Sequence, residues 1–118
     1  MSPQSIDAIS AAQAQNAGVF VSPITAWEIG LLVSHNRISL SAIPHRWFAR
    51  VLATPGMQLA EMSPDILIAS SLLPGTPPRD PADRVLLATA RDLGATLVTR
   101  DRAILAYGES GQVSTLAC

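Results

Sequence analysis

Short apolar runs alternate along the chain with longer stretches in which apolar residues recur every three or four positions. The short runs are VFVS (19–22), MQLAEM (57–62), TLVT (96–99) and VSTLA (113–117), each of strand length. Between them the spacing predicts helices over 3–15, 23–36, 43–53, 63–73, 81–93 and 102–107. Several of these helices share one opening. Ser2-Pro3, Ser22-Pro23, Ser63-Pro64 and Asp80-Pro81 each place a capping oxygen ahead of a proline at the first helical position. Gly18, Gly94 and Gly108 are read as stops just past helix ends. PGTPP (74–78) is a stiff loop.

Helices separate the strands, and no Asn-Gly or Asp-Gly hairpin joins two of them. Parallel strands require such crossovers. The pattern therefore predicts a three-layer α/β/α fold with a mostly parallel sheet, as a single domain over 1–118. In such sheets ligands gather beyond the carboxyl ends of the strands.

Composition narrows the chemistry. Apolar residues make up 48% and charged ones 14%, which fits a well-buried fold and excludes a disordered chain. A net charge of −1 gives no global attraction to polyanions. All eight basic residues are arginine, and five of them fall between Arg79 and Arg102, interleaved with Asp80, Asp83, Asp92 and Asp101. These are surface ion pairs or forked phosphate binders around an acidic centre, and composition alone leaves both open. The single cysteine, Cys118, excludes an intrachain disulfide, and His35 and His45 stand isolated, so no zinc site of Cys/His spacing exists. No signal peptide or membrane span is visible, which makes a cytoplasmic protein the expectation.

The informative stretch is RDPADR (79–84). Asp80 is explained as the cap of the helix that follows. Asp83 is not, because at 100° per residue Leu86, Leu87 and Ala90 fall within about 60° of it. A carboxylate heading an apolar stripe needs a partner, a counter-charge or a metal. Glu28 lies in the helix that leaves strand 19–22, among Ile24, Trp27, Ile29, Leu31 and Leu32, a helix with little wet face to offer it. Asp101 directly follows TLVT, where it also suits an N-cap. Each acid is ambiguous alone. All three belong at one edge of a parallel sheet, where Mg2+ or Mn2+ would offset their mutual repulsion and accept phosphate oxygens. No Ser/His/Asp set, cysteine nucleophile or phosphate-cradling glycine loop competes with them.

VFVSPITAWEIGLLV, RDPADRVLLATARDLGATLVTRD and the closing VSTLAC together resemble a bacterial PIN domain, in particular the VapC-like toxins of toxin–antitoxin pairs. The resemblance extends from about residue 2 to 118. It implies a Mg2+- or Mn2+-dependent endoribonuclease acting on structured RNA and inhibited by a VapB-like antitoxin. Glu28 matches the family's second acid, Asp83 its third and Asp101 its fourth, with Arg84 and Arg100 as RNA-binding candidates and a homodimer as the expected assembly. Asp80 precedes the matching position and is read mainly as a cap.

One departure carries weight. The family's first strand and the acid that ends it have no counterpart, and Asp7, inside a predicted helix, cannot replace that acid. Five apolar strand residues correspond to roughly 8–15 kcal/mol of burial, against a whole-domain stability of about 5–15 kcal/mol. The strand is central in the family's sheet, so its neighbours should be left as open edges. The chain as given is therefore expected to be a weak or inactive nuclease. Two readings compete with catalysis: a non-catalytic PIN remnant that binds an antitoxin or a second copy, and an α/β domain whose acids only cap and pair.

Overall fold

A computed structural model describes residues 18–118 of the chain; the helix expected over 3–15, with Asp7, lies outside the described residues. The order is β1 (Val19–Val21), α1 (Pro23–Ser34), α2 (Pro44–Ala53), β2 (Met57–Leu59), α3 (Pro64–Ser71), α4 (Pro81–Leu93), β3 (Thr96–Thr99), α5 (Arg102–Glu109) and β4 (Ser114–Ala117). All described strand pairs are parallel, as the crossovers predict. The class is α/β.

The openings behave as read. Ser22 Oγ accepts from the Ile24 N–H, and Ser63 Oγ from the Ile66 N–H. Asp80 Oδ1 accepts from the Asp83 N–H at 3.0 Å. Gly94 ends α4 at φ 62°, a left-handed conformation that glycine adopts without steric cost.

Several boundaries differ by a residue or two, and three of the differences have a visible cause. Helix α1 stops at Ser34 rather than residue 36, because Asn36 turns left-handed at φ 55°. Strand β2 ends at Leu59: Ala60 still donates to the Val21 carbonyl, and the chain then leaves for the Ser63 cap of α3. Gly108 is not a stop. Helix α5 runs through it to Glu109, and a Cβ at Gly108 would stand 2.1 Å from Thr115 Oγ1 on β4. The glycine is there so that helix and strand can touch.

The core is built on α4. Leu87, Ile104 and Tyr107 are buried together, with Leu73, Leu97 and Val113 against them. Ile66, Val85 and Ala88 form a second cluster with Ile24 and Leu73. The proline loop is held at both ends: Tyr107 Oη donates to the Pro74 carbonyl and Arg84 Nε to the Pro78 carbonyl, each at 2.6 Å. That clamp fixes where Asp80 and α4 begin.

The sheet is divided. β1 pairs only with β2 and β3 only with β4 among the described residues, leaving two half-sheets.

Candidate functional site

Asp83 sits in the first turn of α4, half-buried, with its backbone held by the Asp80 cap. Glu28 lies about a turn and a half into α1, also half-buried. Asp101 follows β3: its N–H donates to Thr99 Oγ1 and its Oδ1 accepts from the Ile104 N–H, both at 3.0 Å, which makes it the N-cap of α5. The helix-capping reading of Asp101 is correct as far as one oxygen goes.

The three acids occupy one electrostatic neighbourhood. Partial burial is the main cause that raises Asp83 to about 6, and the charges of Asp80, Asp101 and Glu28 push it further. Glu28 is raised too, by burial first and then by Asp80. Every cause acting on these two acids raises them. Asp80, read from the sequence mainly as a cap, is a cap and also the strongest like charge on both Asp83 and Glu28. Its position three residues before Asp83 was the available signal. The acids do not close on a common point: among the described residues no three His, Cys, Asp or Glu side chains form a group that could hold a metal ion. Asp80 and Asp101 each turn one oxygen toward helix amides instead.

The arginines divide by task. Arg84 spends its Nε on the Pro78 carbonyl, and Arg91 bonds the Gln112 carbonyl. Arg100 is exposed between β3 and Asp101. Of the two arginines expected to meet RNA, Arg100 is the one without a described structural bond.

The profile of the PIN domain matches residues 3–109. The chain belongs to the PIN domain family. It is similar to "Ribonuclease VapC22" of Mycobacterium tuberculosis (strain ATCC 25618 / H37Rv), with 34% identity over 87 residues. That alignment covers 74% of this chain and 65% of the relative, so the chain spans somewhat less than two thirds of the relative's length. No solved structure matches the chain. Among the described residues of this PIN domain no helix is long and apolar enough to cross a membrane.

The raised Asp83 has a consequence for stability. Its folded pKa of about 6 exceeds the ordinary 3.8, so its contribution is most favourable below pH 3.8 and is lost as pH rises through 6. In metal-free protein at pH 7.5, Asp83→Asn should therefore stabilise the fold. The gain should be about 1 kcal/mol after allowing for solvent screening of a half-exposed group. Near pH 4 it should vanish. Thermal unfolding in EDTA at both pH values checks this, and equal effects at the two would show that ionisation is not the cause.

Proposed function

We propose that this PIN domain is of the divalent-metal-dependent endoribonuclease, VapC-like toxin type, a weak or inactive nuclease as the chain is given, with Glu28, Asp83 and Asp101 as the metal-holding and catalytic acids. The observation that carries the reading is Asp83 at the head of α4, with its proton affinity raised first by partial burial and then by the charges of Asp80, Asp101 and Glu28. An all-oxygen set of mutually repelling carboxylates fits a hard cation such as Mg2+ or Mn2+. When bound, such an ion supplies a water of lowered pKa and neutralises charge developing on a phosphodiester.

The chain's own residues do the placing. Asp80 fixes the first turn of α4 and so the backbone of Asp83, and Thr99 fixes that of Asp101. Arg100, exposed beside Asp101, would bind a phosphate in a forked contact, and Arg84 would add its remaining guanidinium N–H groups while keeping its bond to Pro78. The expected partners are structured RNA and a VapB-like antitoxin, in the cytoplasm. Helix α1 has no buried residue and exposes Trp27 and Leu31, a surface suited to an antitoxin segment or to a homodimer.

The second reading, a non-catalytic PIN remnant that binds a partner, is favoured by one observation: no group of acids among the described residues could hold an ion. Incubating the purified chain with structured RNA separates the two. Cleavage in Mn2+ that disappears in EDTA supports the nuclease. A folded chain that leaves the RNA intact at every metal concentration supports the remnant, and cleavage unaffected by EDTA contradicts the metal-dependent reading.

A further inference from the structure

Residues 29–60 carry three arginines, both histidines and no acid, whereas all nine acids lie outside them together with the other five arginines. A chain of net charge −1 therefore has one strongly basic segment. Its centre is α2. At 100° per residue His45, Arg46, Ala49, Arg50 and Ala53 fall within one arc of about 140°, and all five are exposed. Trp47, Phe48, Val51 and Leu52 fill the opposite arc and are half-buried.

The fold does not account for the charges on this face. Acids and bases one turn apart stabilise an exposed helix, and like charges at that spacing destabilise it by a similar amount. Arg46 and Arg50 are such a like-charged pair. Arg46 also lies in the first turn, where a cation opposes the helix dipole; only Arg50, in the last turn, suits it. Among the described residues the side chains of His45, Arg46 and Arg50 make no hydrogen bond or ion pair. Two guanidinium groups held a turn apart, with nothing of the described chain to meet them, are placed for an external anion.

We propose that the exposed arc of α2 is a phosphate-binding exosite for the RNA backbone. Arg46 and Arg50, about 6 Å apart along the helix axis, take neighbouring phosphates of one strand in forked contacts, with His45 beside them. Besides these cations the arc holds only Ala49 and Ala53. The small side chains let a nucleic-acid backbone approach, and they supply none of the large apolar anchors on which protein interfaces depend. Contacts to phosphate position the RNA and carry no sequence preference. The basic arc thus gathers a polyanion that the carboxylate cluster alone would repel. The inference rests on the reading of this domain as one that acts on RNA, and it adds a second foothold on an element that supplies none of the acids.

The test measures binding of a fluorescein-labelled RNA hairpin to the full chain over a range of salt concentrations, in EDTA so that no metal-dependent cleavage intervenes. Each phosphate contact contributes about 0.7–0.9 to the slope of log K against log salt. The double variant Arg46→Gln/Arg50→Gln should bind at least about tenfold more weakly at low salt and lose about 1.5 from that slope. Arg46→Lys/Arg50→Lys should recover most of the slope, because the charge remains. Arg91→Gln, which removes a charge from α4, should keep the wild-type slope. All of these positions are exposed, and circular dichroism should show each variant folded. An unchanged slope in the glutamine variant, with the hairpin still bound, overturns the exosite and leaves the RNA reading standing. A folded wild-type chain that binds no RNA overturns both. An equal loss per charge in Arg91→Gln would trace the effect to net charge and overturn the exosite. So would glutamine substitutions that abolish binding of poly-glutamate but not of the hairpin, which would assign the face to an acidic protein partner.

Discussion

Gly108→Ala is expected to destabilise the domain by about 1–3 kcal/mol through overpacking, against the usual sign for such a change. In an open helix the same substitution stabilises by up to about 1 kcal/mol. The reversal comes from Thr115: the new Cβ would meet its Oγ1 at 2.1 Å, Cγ2 at 2.6 Å and Cβ at 2.9 Å. Rotating the threonine cannot clear all three, because its Cβ is fixed to the β4 backbone. Helix and strand must therefore part, and α5 brings Ile104 and Tyr107 to the core. Gly30 supplies the internal control. It too lies within a helix, α1, and has nothing within 4 Å of its would-be Cβ. Gly30→Ala should raise stability slightly while Gly108→Ala lowers it. Denaturant titration of both variants checks the pair, and equal shifts would mean that α5 does not press on β4.

The second large effect concerns chemistry. Asp83→Asn should lower Mn2+-dependent RNA cleavage at least about a hundredfold, because a neutral amide weakens the hold on the cation and loosens the geometry on which the rate depends. The same variant should be the more stable protein at neutral pH, since it removes a carboxylate that burial and three like charges oppose. Loss of activity with gain of stability is what a functional acid in an unfavourable setting gives. An acid that served the fold would lose both. Cleavage rates and unfolding midpoints measured on one preparation distinguish these, and an active Asp83→Asn variant would remove Asp83 from the catalytic set.

Much of this was legible before any coordinates. Proline behind serine or aspartate fixed the starts of α1, α3 and α4, because local capping and a pre-set φ act without tertiary help. The bounds of β3 and α4 were read correctly for the same reason: Gly94 has one local job. Gly108 was misread because its reason is a contact with Thr115, seven residues on and in another element, which no local signal carries. Asp80 was read as a cap, and it is one. Its charge on Glu28 depends on how α1 and α4 meet, which is tertiary information. The expected closure of Glu28, Asp83 and Asp101 on one point was inferred from shared placement at strand ends. Placement of the backbone does not dictate that side chains meet, and Asp101 turns one oxygen to its own helix.

The most direct test of the carboxylate site is calorimetric titration of the chain with Mn2+ near pH 6 in two buffers of different ionisation enthalpy. One site is predicted, with a buffer-dependent heat that reports protons released from Asp83 as the ion binds, and with at least about tenfold weaker binding in Asp83→Asn. Identical isotherms for the two proteins, or no binding to the folded wild-type chain, would contradict the account.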